Sequence, residues 1–286
     1  PAARQLAADR AALEGFGYPV AWLETAAIRQ RLPALALPAD AVGLMATADR
    51  WLEVPRLLAW LLADFARLGG RLLTHTPLTA VERDGAGRLA AAVTPSGRIA
   101  CEQVAVAAGA GTAALLERAS AGAVSAAAFP LRQVPGFLLE TPPTPLGRSL
   151  DLVLWAPDEA GFHLRPTAAG GLLLGADDLD ALVGEGEDAA AVESATAELL
   201  RRATLWLSAL PVEALRPGCR WRIGRRAMPR DGHSILGPLA ALPGLFVAVT
   251  HSGVTLSLHA GRLLAEEMAG EAPARLAPFR PARFGL

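Results

Sequence analysis

Two short apolar runs limit the folds open to this chain of 286 residues: VAVAAG at 104–109 and GLFVAVT at 244–250. Neither carries a charged side chain, and a strand of that kind needs cover on both faces of its sheet. The first reads as the closing parallel strand of an α/β layer, buried on both faces. Ahead of it, Pro55 suits a first helical turn, and Leu57, Leu58, Leu61, Leu62, Phe65 and Leu68 recur at helical spacing until Gly69-Gly70. RLLTH at 71–75 then reads as a short strand. TAVERDGAGRLAAAV and SGRIACEQVAVAAG read as strands separated by glycine turns.

That order of helix, strand, hairpin and strand predicts the lower half of a nucleotide-binding α/β domain. The texture changes over 126–184. FPLRQVPGFLLE, LDLVLWAP, GFHLRPT and GLLLGAD are short apolar runs broken by Pro, Gly and Asp, the pattern of an antiparallel sheet. Residues 187–210 predict a long helix, and TLSLHAGRLLAEEMAG a second one ended by Gly270. Near the start, 2–14 read as a helix marked by Leu6 and Leu13. Thr25 is positioned to cap a helix through Arg31 that Pro33 stops. The alternation predicts interleaved domains: 1–52 and 126–218 in an antiparallel domain, 53–125 and 219–286 in the α/β one.

Composition excludes several functions. With 27 basic and 28 acidic side chains, nothing favours a nucleic-acid partner. No apolar stretch of about 18 residues predicts a membrane span, and the start lacks the basic-then-apolar order of a secretory signal. Cys101 and Cys219 form neither a CxxC nor a metal-ligand set, which fits reduced thiols in the cytoplasm. No GxSxG, HExxH or Walker A motif occurs.

Three segments carry chemistry. VAVAAGAGTAALL (104–116) runs from strand through glycines into helix, where Gly109 permits close approach to a ligand or simply makes a turn. RIGRRAMPRDGHSILGP (222–238) sets Arg226 among glycine turns. Its planar fork suits a carboxylate; the alternative is a solvated loop. LFVAVTHSGVTLSLHAGRLLAEEM (245–268) carries a buried strand into His251-Ser252-Gly253 and a helix, whose first amides can serve an anion or a flavin carbonyl. His251 is either a donor near a reaction centre or an ordinary loop histidine. His163 shares FHLRPT with Arg165 and can face a cavity wall. His233 lies in the glycine loop, and His75 and His259 read as structural or surface residues.

Together these segments resemble the FAD-dependent D-amino-acid oxidase superfamily, nearest its glycine oxidase, sarcosine oxidase and D-amino-acid dehydrogenase-like branches. The resemblance covers almost the whole chain and is strongest at 222–238 and 249–268. Ala227 and Ser234 stand where the family has prolines, Thr250 where many relatives have glycine, and LRQVPGFLLE lacks the glycine of the family's R-G-Q strand. The resemblance implies a flavoprotein oxidoreductase, an amino-acid oxidase or dehydrogenase. Its fold is α/β plus α+β, a Rossmann-like FAD-binding domain interleaved with an antiparallel substrate domain. It implies hydride transfer from a small amine or amino acid to FAD, giving an imine that hydrolyses.

By the motif match, Arg226 binds the substrate carboxylate and, with His251, stands at the reaction centre. His163 and Arg165 are further substrate contacts. His251, Ser252, Gly253, Val254, Thr255 and Leu256 lie against the flavin and ribityl chain, while Gly109 and Gly237 approach the cofactor. The family's opening GxGxxG unit and its ribose-binding acid do not occur. The resemblance therefore implies that these residues alone bind FAD weakly or not at all. It points first to a fragment of a longer chain, then to a separate polypeptide supplying the missing part, then to a non-catalytic relative.

Overall fold

The computed structural model describes residues 2–156, 159–184, 186 and 188–286. In chain order it opens with α1 (Ala2–Gly15), β1 (Val20–Glu24), α2 (Thr25–Arg31), β2 (Val42–Ala46) and α3 (Val54–Arg67). Then follow β3 (Ala80–Arg83), β4 (Leu89–Thr94), β5 (Gly97–Ala100), β6 (Val104–Val106), α4 (Thr112–Ala119) and β7 (Leu131–Glu140). Next are α5 (Pro145–Ser149), β8 (Leu154–Ala156), β9 (Phe162–Pro166), β10 (Leu172–Gly175), α6 (Asp177–Val183), α7 (Ala189–Trp206) and α8 (Val212–Leu215). The chain ends through β11 (Arg220–Pro229), β12 (Ile235–Pro238), β13 (Leu245–Val249) and α9 (Ser257–Met268). Two compact units result, 1–58 with 135–224 and 59–134 with 225–286. The chain passes between them inside α3, β7 and β11.

The first unit is built on an antiparallel sheet of order β11-β7-β10-β9-β8. Strand alternation sends Leu154 and Ala156, Phe162 and Leu164, Leu172 and Leu174, and Phe137 and Leu139 into one core. α7 covers that face with Val192, Ala195, Leu199, Leu200 and Ala203, a stripe at helical spacing. Asp188 caps α7 by accepting from Ala190 and Ala191 N–H. The expected start of this helix at 187 lies outside the described residues, as does Pro157 at the end of LDLVLWAP.

Asp180 from α6 accepts from the Phe137 N–H at 2.6 Å, where β10 no longer pairs with β7. Arg202 on α7 ties itself to Asp178 and Glu198, and Arg201, with Arg202 beside it, holds the Glu198 carboxyl at about 2. Close backbone packing also needs glycine. A Cβ on Gly171 would stand 2.2 Å from the Thr141 carbonyl oxygen. β1 and β2 form a separate antiparallel pair. Thr25 does not cap α2. Glu24 takes the cap position, while the Thr25 hydroxyl donates to the Ala39 and Ala41 carbonyls and pins the loop before β2.

The second unit contains the antiparallel sheet β3-β4-β5 and the mixed sheet β12-β13-β6. β6 pairs with β13 in parallel, Val104 with Leu245 and Val106 with Val247. β12 runs antiparallel on the other side of β13, Ile235 opposite Val249. α4 and α9 pack Leu116, Leu263 and Leu264 inward, and Leu131 and Ala227 join the core from the ends of β7 and β11.

Two expectations differ here, while the helix expected from Pro55 forms as α3. β6 is an edge strand with Ala105 exposed, so only one face is covered. RLLTH makes no strand, because no neighbouring backbone pairs with it, and Leu72 and Leu73 stay exposed. None of the α3 residues is buried, although Leu58, Leu62 and Phe65 form a continuous apolar face. No described helix is long and apolar enough to cross a membrane.

Candidate functional site

The three chemistry-bearing segments meet at one end of the β12-β13-β6 sheet. The parallel register brings the turn after Val106 and the turn after Val249 out at the same carboxyl end. Antiparallel β12 begins there, so the 230–234 turn joins them. The crevice outside the carboxyl ends of parallel strands is where α/β sheets hold ligands. Gly109 lies in this end at φ +54, with nothing within 4 Å in the direction of a Cβ. His251 through Leu256 form consecutive turns. His251, Gly253, Val254, Thr255 and Leu256 are exposed and Ser252 is half-buried. Ser252 N–H donates to the Thr250 hydroxyl, and Leu256 N–H to the Ser252 carbonyl, leading into α9.

Arg226 is placed by β11 rather than by a loop. Strand alternation leaves it half-buried, with Ala227 turned into the core and Arg225 exposed. The turn that follows is clamped from the C-terminal end. Arg283 donates to both Asp231 carboxylate oxygens, at 2.7 and 3.1 Å, and to the His233 carbonyl at 2.9 Å. The Arg283 guanidinium holds the Asp231 carboxyl at about 2. A lowered folded-state value contributes stability above the ordinary carboxylate range, and that contribution is lost as pH falls through about 2. Asp231→Asn is therefore expected to melt below the parent at pH 5 and together with it near pH 2. Thermal melts at both values check this, and an unchanged gap at pH 2 contradicts it.

Gly237 needs its glycine for a reason inside the protein. At φ +126, a Cβ there would lie 2.7 Å from Arg280 Nη1 and 3.3 Å from Glu267 Oε2, and these two side chains pair with each other. His233 packs edge-on to Phe279. His75 is exposed at a positive φ, and His259 is exposed on α9.

His163 and Arg165 belong to the first unit, on the sheet face opposite the core. His163 Nδ1 lies 3.0 Å from the Gly161 carbonyl, and the imidazole covers Gly175, where a Cβ would come within 2.6 Å of the ring. Trp155 stands opposite His163 across the strands and is 63% exposed. The Arg165 guanidinium stacks over Trp51 with its centre 5.7 Å from the ring centroid. Trp51, Glu53 and Trp155 were not singled out by the sequence. Only Arg165's place on an alternating strand hinted at a facing surface.

The donors present suit the flavin and ribityl part of FAD: exposed backbone at 251–256 and an open Gly109 turn. Thr112, fully buried at the start of α4, has a hydroxyl without a hydrogen-bond partner among the described residues. Gly109, Gly111 and Ala114 have G-x-G-x-x-A spacing after β6. Yet α4 leads to β7 of an antiparallel sheet, so this turn does not open the β-α-β unit that grips a pyrophosphate. Beside β6 a hollow of about 310 Å³ is lined by Leu73, Leu78, Ile99, Val104, Val106 and Leu115. No cluster of possible metal ligands occurs among the described residues.

Known proteins share this organisation. Glycine oxidase from Geobacillus kaustophilus superposes with a TM-score of 0.72 at 27% identity, covering 94% of this chain and 68% of that one. Glycine oxidase from Bacillus cereus gives 0.75 at 16% identity, over 96% and 71%. A D-amino-acid oxidase of Bradyrhizobium diazoefficiens is 30% identical over 273 residues. That alignment takes in 93% of this chain and 60% of the relative, so the chain spans less than two thirds of that protein. The family model described as FAD dependent oxidoreductase, DAO, matches residues 1–267. With the shared two-unit fold and a match over most of its length, the chain belongs to the FAD-dependent oxidoreductase (DAO) family.

Proposed function

We propose that this chain is the larger part of an oxidoreductase acting on the C–N bond of a small amine or amino acid. The observation that carries the reading is the convergence of the 107–111, 230–234 and 250–256 turns at the carboxyl end of β6 and β13. Bound FAD supplies the acceptor for a hydride leaving the carbon that bears the amine. The chain's own residues bind and align. Arg226 holds the substrate carboxylate with its planar fork. His251 donates a hydrogen bond at the reaction centre, and Ser252 to Leu256 line the flavin and ribityl chain, with the backbone amides of Gly253, Val254 and Thr255 as the donors. Gly109 and Gly237 are the remaining cofactor-side positions, Gly237 on its motif alone. His163 and Arg165 are the substrate-side positions on the antiparallel sheet, on the face opposite its core.

The proposal includes a completing element, supplied by a segment outside these residues or by a partner chain. A parallel strand against β6 would pair with its free edge. The reading that favours a non-catalytic relative predicts no flavin chemistry even then.

Titrating FAD into the purified chain tests this, followed by its visible spectrum with a panel of amino acids. A chimera carrying a nucleotide-binding β-α-β unit ahead of Ala2 is measured beside it. The chimera is expected to perturb the flavin bands and to bleach with an amino acid. If this chain leaves free FAD unchanged and unreduced, the enzyme reading fails for this polypeptide alone. The same result with the chimera ends it altogether.

A further inference from the structure

Within the second unit, the segment that follows α9 is built into the site end of the β12-β13-β6 sheet. Two short 3-10 helices, Ala274–Phe279 and Pro281–Phe284, pack along β12. Apolar side chains anchor them. Leu276 is fully buried in a cluster with Leu236, Ala260 and Leu263, and Phe284 and Leu286 pack against the core that holds Leu116 and Val247.

Between these anchors Arg283 meets the 230–234 turn, and all three of its nitrogens are used. Nε and Nη2 donate to the two Asp231 carboxylate oxygens, Nη2 also donates to the His233 carbonyl, and Nη1 donates to the Arg280 carbonyl at 3.1 Å. Asp231 in turn accepts from the His233 N–H at 3.0 Å. The Arg283–Asp231 pair therefore holds both the N–H and the C=O of one turn residue, whose ring lies edge-on to Phe279 of the same segment.

The strands on either side do not fix this turn. β11 and β12 belong to different sheets, so no ladder joins them among the described residues. Gly232 adds a left-handed residue, φ +78, to its backbone. The Arg262–Glu266 pair makes a contrast, because it decorates a helix whose own hydrogen bonds already set the backbone. The Arg283 fork sets the backbone itself.

We propose that Arg283 is a positioning residue for the cofactor: through Asp231 and His233 it holds the 230–234 turn in the form that receives FAD. This rests on the reading of the three converging turns as the FAD site. A turn that is closed only part of the time binds its ligand with an affinity reduced by that fraction.

Two measurements test it. Hydrogen–deuterium exchange of a peptide spanning 229–236 is followed in the full chain, and FAD is titrated by flavin fluorescence into the chain and the chimera described above. R283Q is expected to speed exchange in the turn and to weaken FAD binding about tenfold, as for a turn closed in about one molecule in ten. R283K should recover part of both losses, since lysine keeps the charge without the fork. D231N should match R283Q, and the double variant should be no worse than either, because both remove one connection. R262Q should change neither readout. Unchanged exchange in β13 shows that each variant is folded. Turn exchange unaffected by R283Q overturns the proposal, and so does faster exchange with unaltered FAD affinity. If FAD binds and R283Q leaves the turn unchanged, only the role of Arg283 fails. If R283Q loosens the turn but neither the chain nor the chimera binds FAD, the FAD reading of the turns fails and this role falls with it.

Discussion

Arg226→Ala in the FAD-loaded enzyme is expected to raise KM for amino acids by roughly 10- to 100-fold and to leave simple amines unchanged. The size follows from the bond removed. A charge-assisted hydrogen bond to a carboxylate contributes about 1.5–3 kcal/mol, and each 1.4 kcal/mol is a factor of ten. The placement makes the test sharp. Arg226 is half-buried on β11, and its neighbour Arg225 is exposed on the same strand, pointing the other way. Arg225→Ala removes the same charge from a neighbouring position and should alter neither substrate class. Arg226→Lys keeps the charge but loses the two-pronged geometry, so it should fall between parent and alanine. Initial rates over a concentration series for an amino acid and its decarboxylated amine decide the matter. Equal losses on both would remove the carboxylate role.

Phe162→Ala is expected to destabilise the first unit by about 3–5 kcal/mol, the range for emptying a buried aromatic position. Phe162 is fully buried on β9, in the core that α7 closes with Leu199 and Leu200. The cavity cannot collapse easily, because neighbouring strands fix the β9 backbone through their ladders on both sides. Urea unfolding followed by circular dichroism measures the loss. A fall of under about 1 kcal/mol would mean that the position is less tightly packed than its burial indicates.

Much of the architecture was legible because local patterns matched their tertiary use. The stripe along α7 and the alternation in β9 each declare one buried face, and the structure buries those faces. The parallel pairing expected of VAVAAG was also met, by β13. Where patterns failed, a partner decided. RLLTH has strand composition but no ladder, and the α3 stripe has no buried residue. The arginines of 222–226 looked like a glycine loop because Gly224 and Arg-rich composition hide a strand; β7 makes it one by offering its edge. The unit crossings fall inside α3, β7 and β11, where no change of composition marks them.

Family membership and the strand-glycine-helix run at 104–116 were set by the sequence, because they depend on residues adjacent in the chain. Only the tertiary structure decided that β12, β13 and β6 bring three distant turns to one end of a sheet. Only it braced Arg165 between Trp51 and the Pro166 carbonyl. The physical reason is that strand register and desolvation are properties of neighbours in space. VAVAAG carries the apolar demand for cover on two faces, while the fold of these residues covers one and leaves the other face of β6 open.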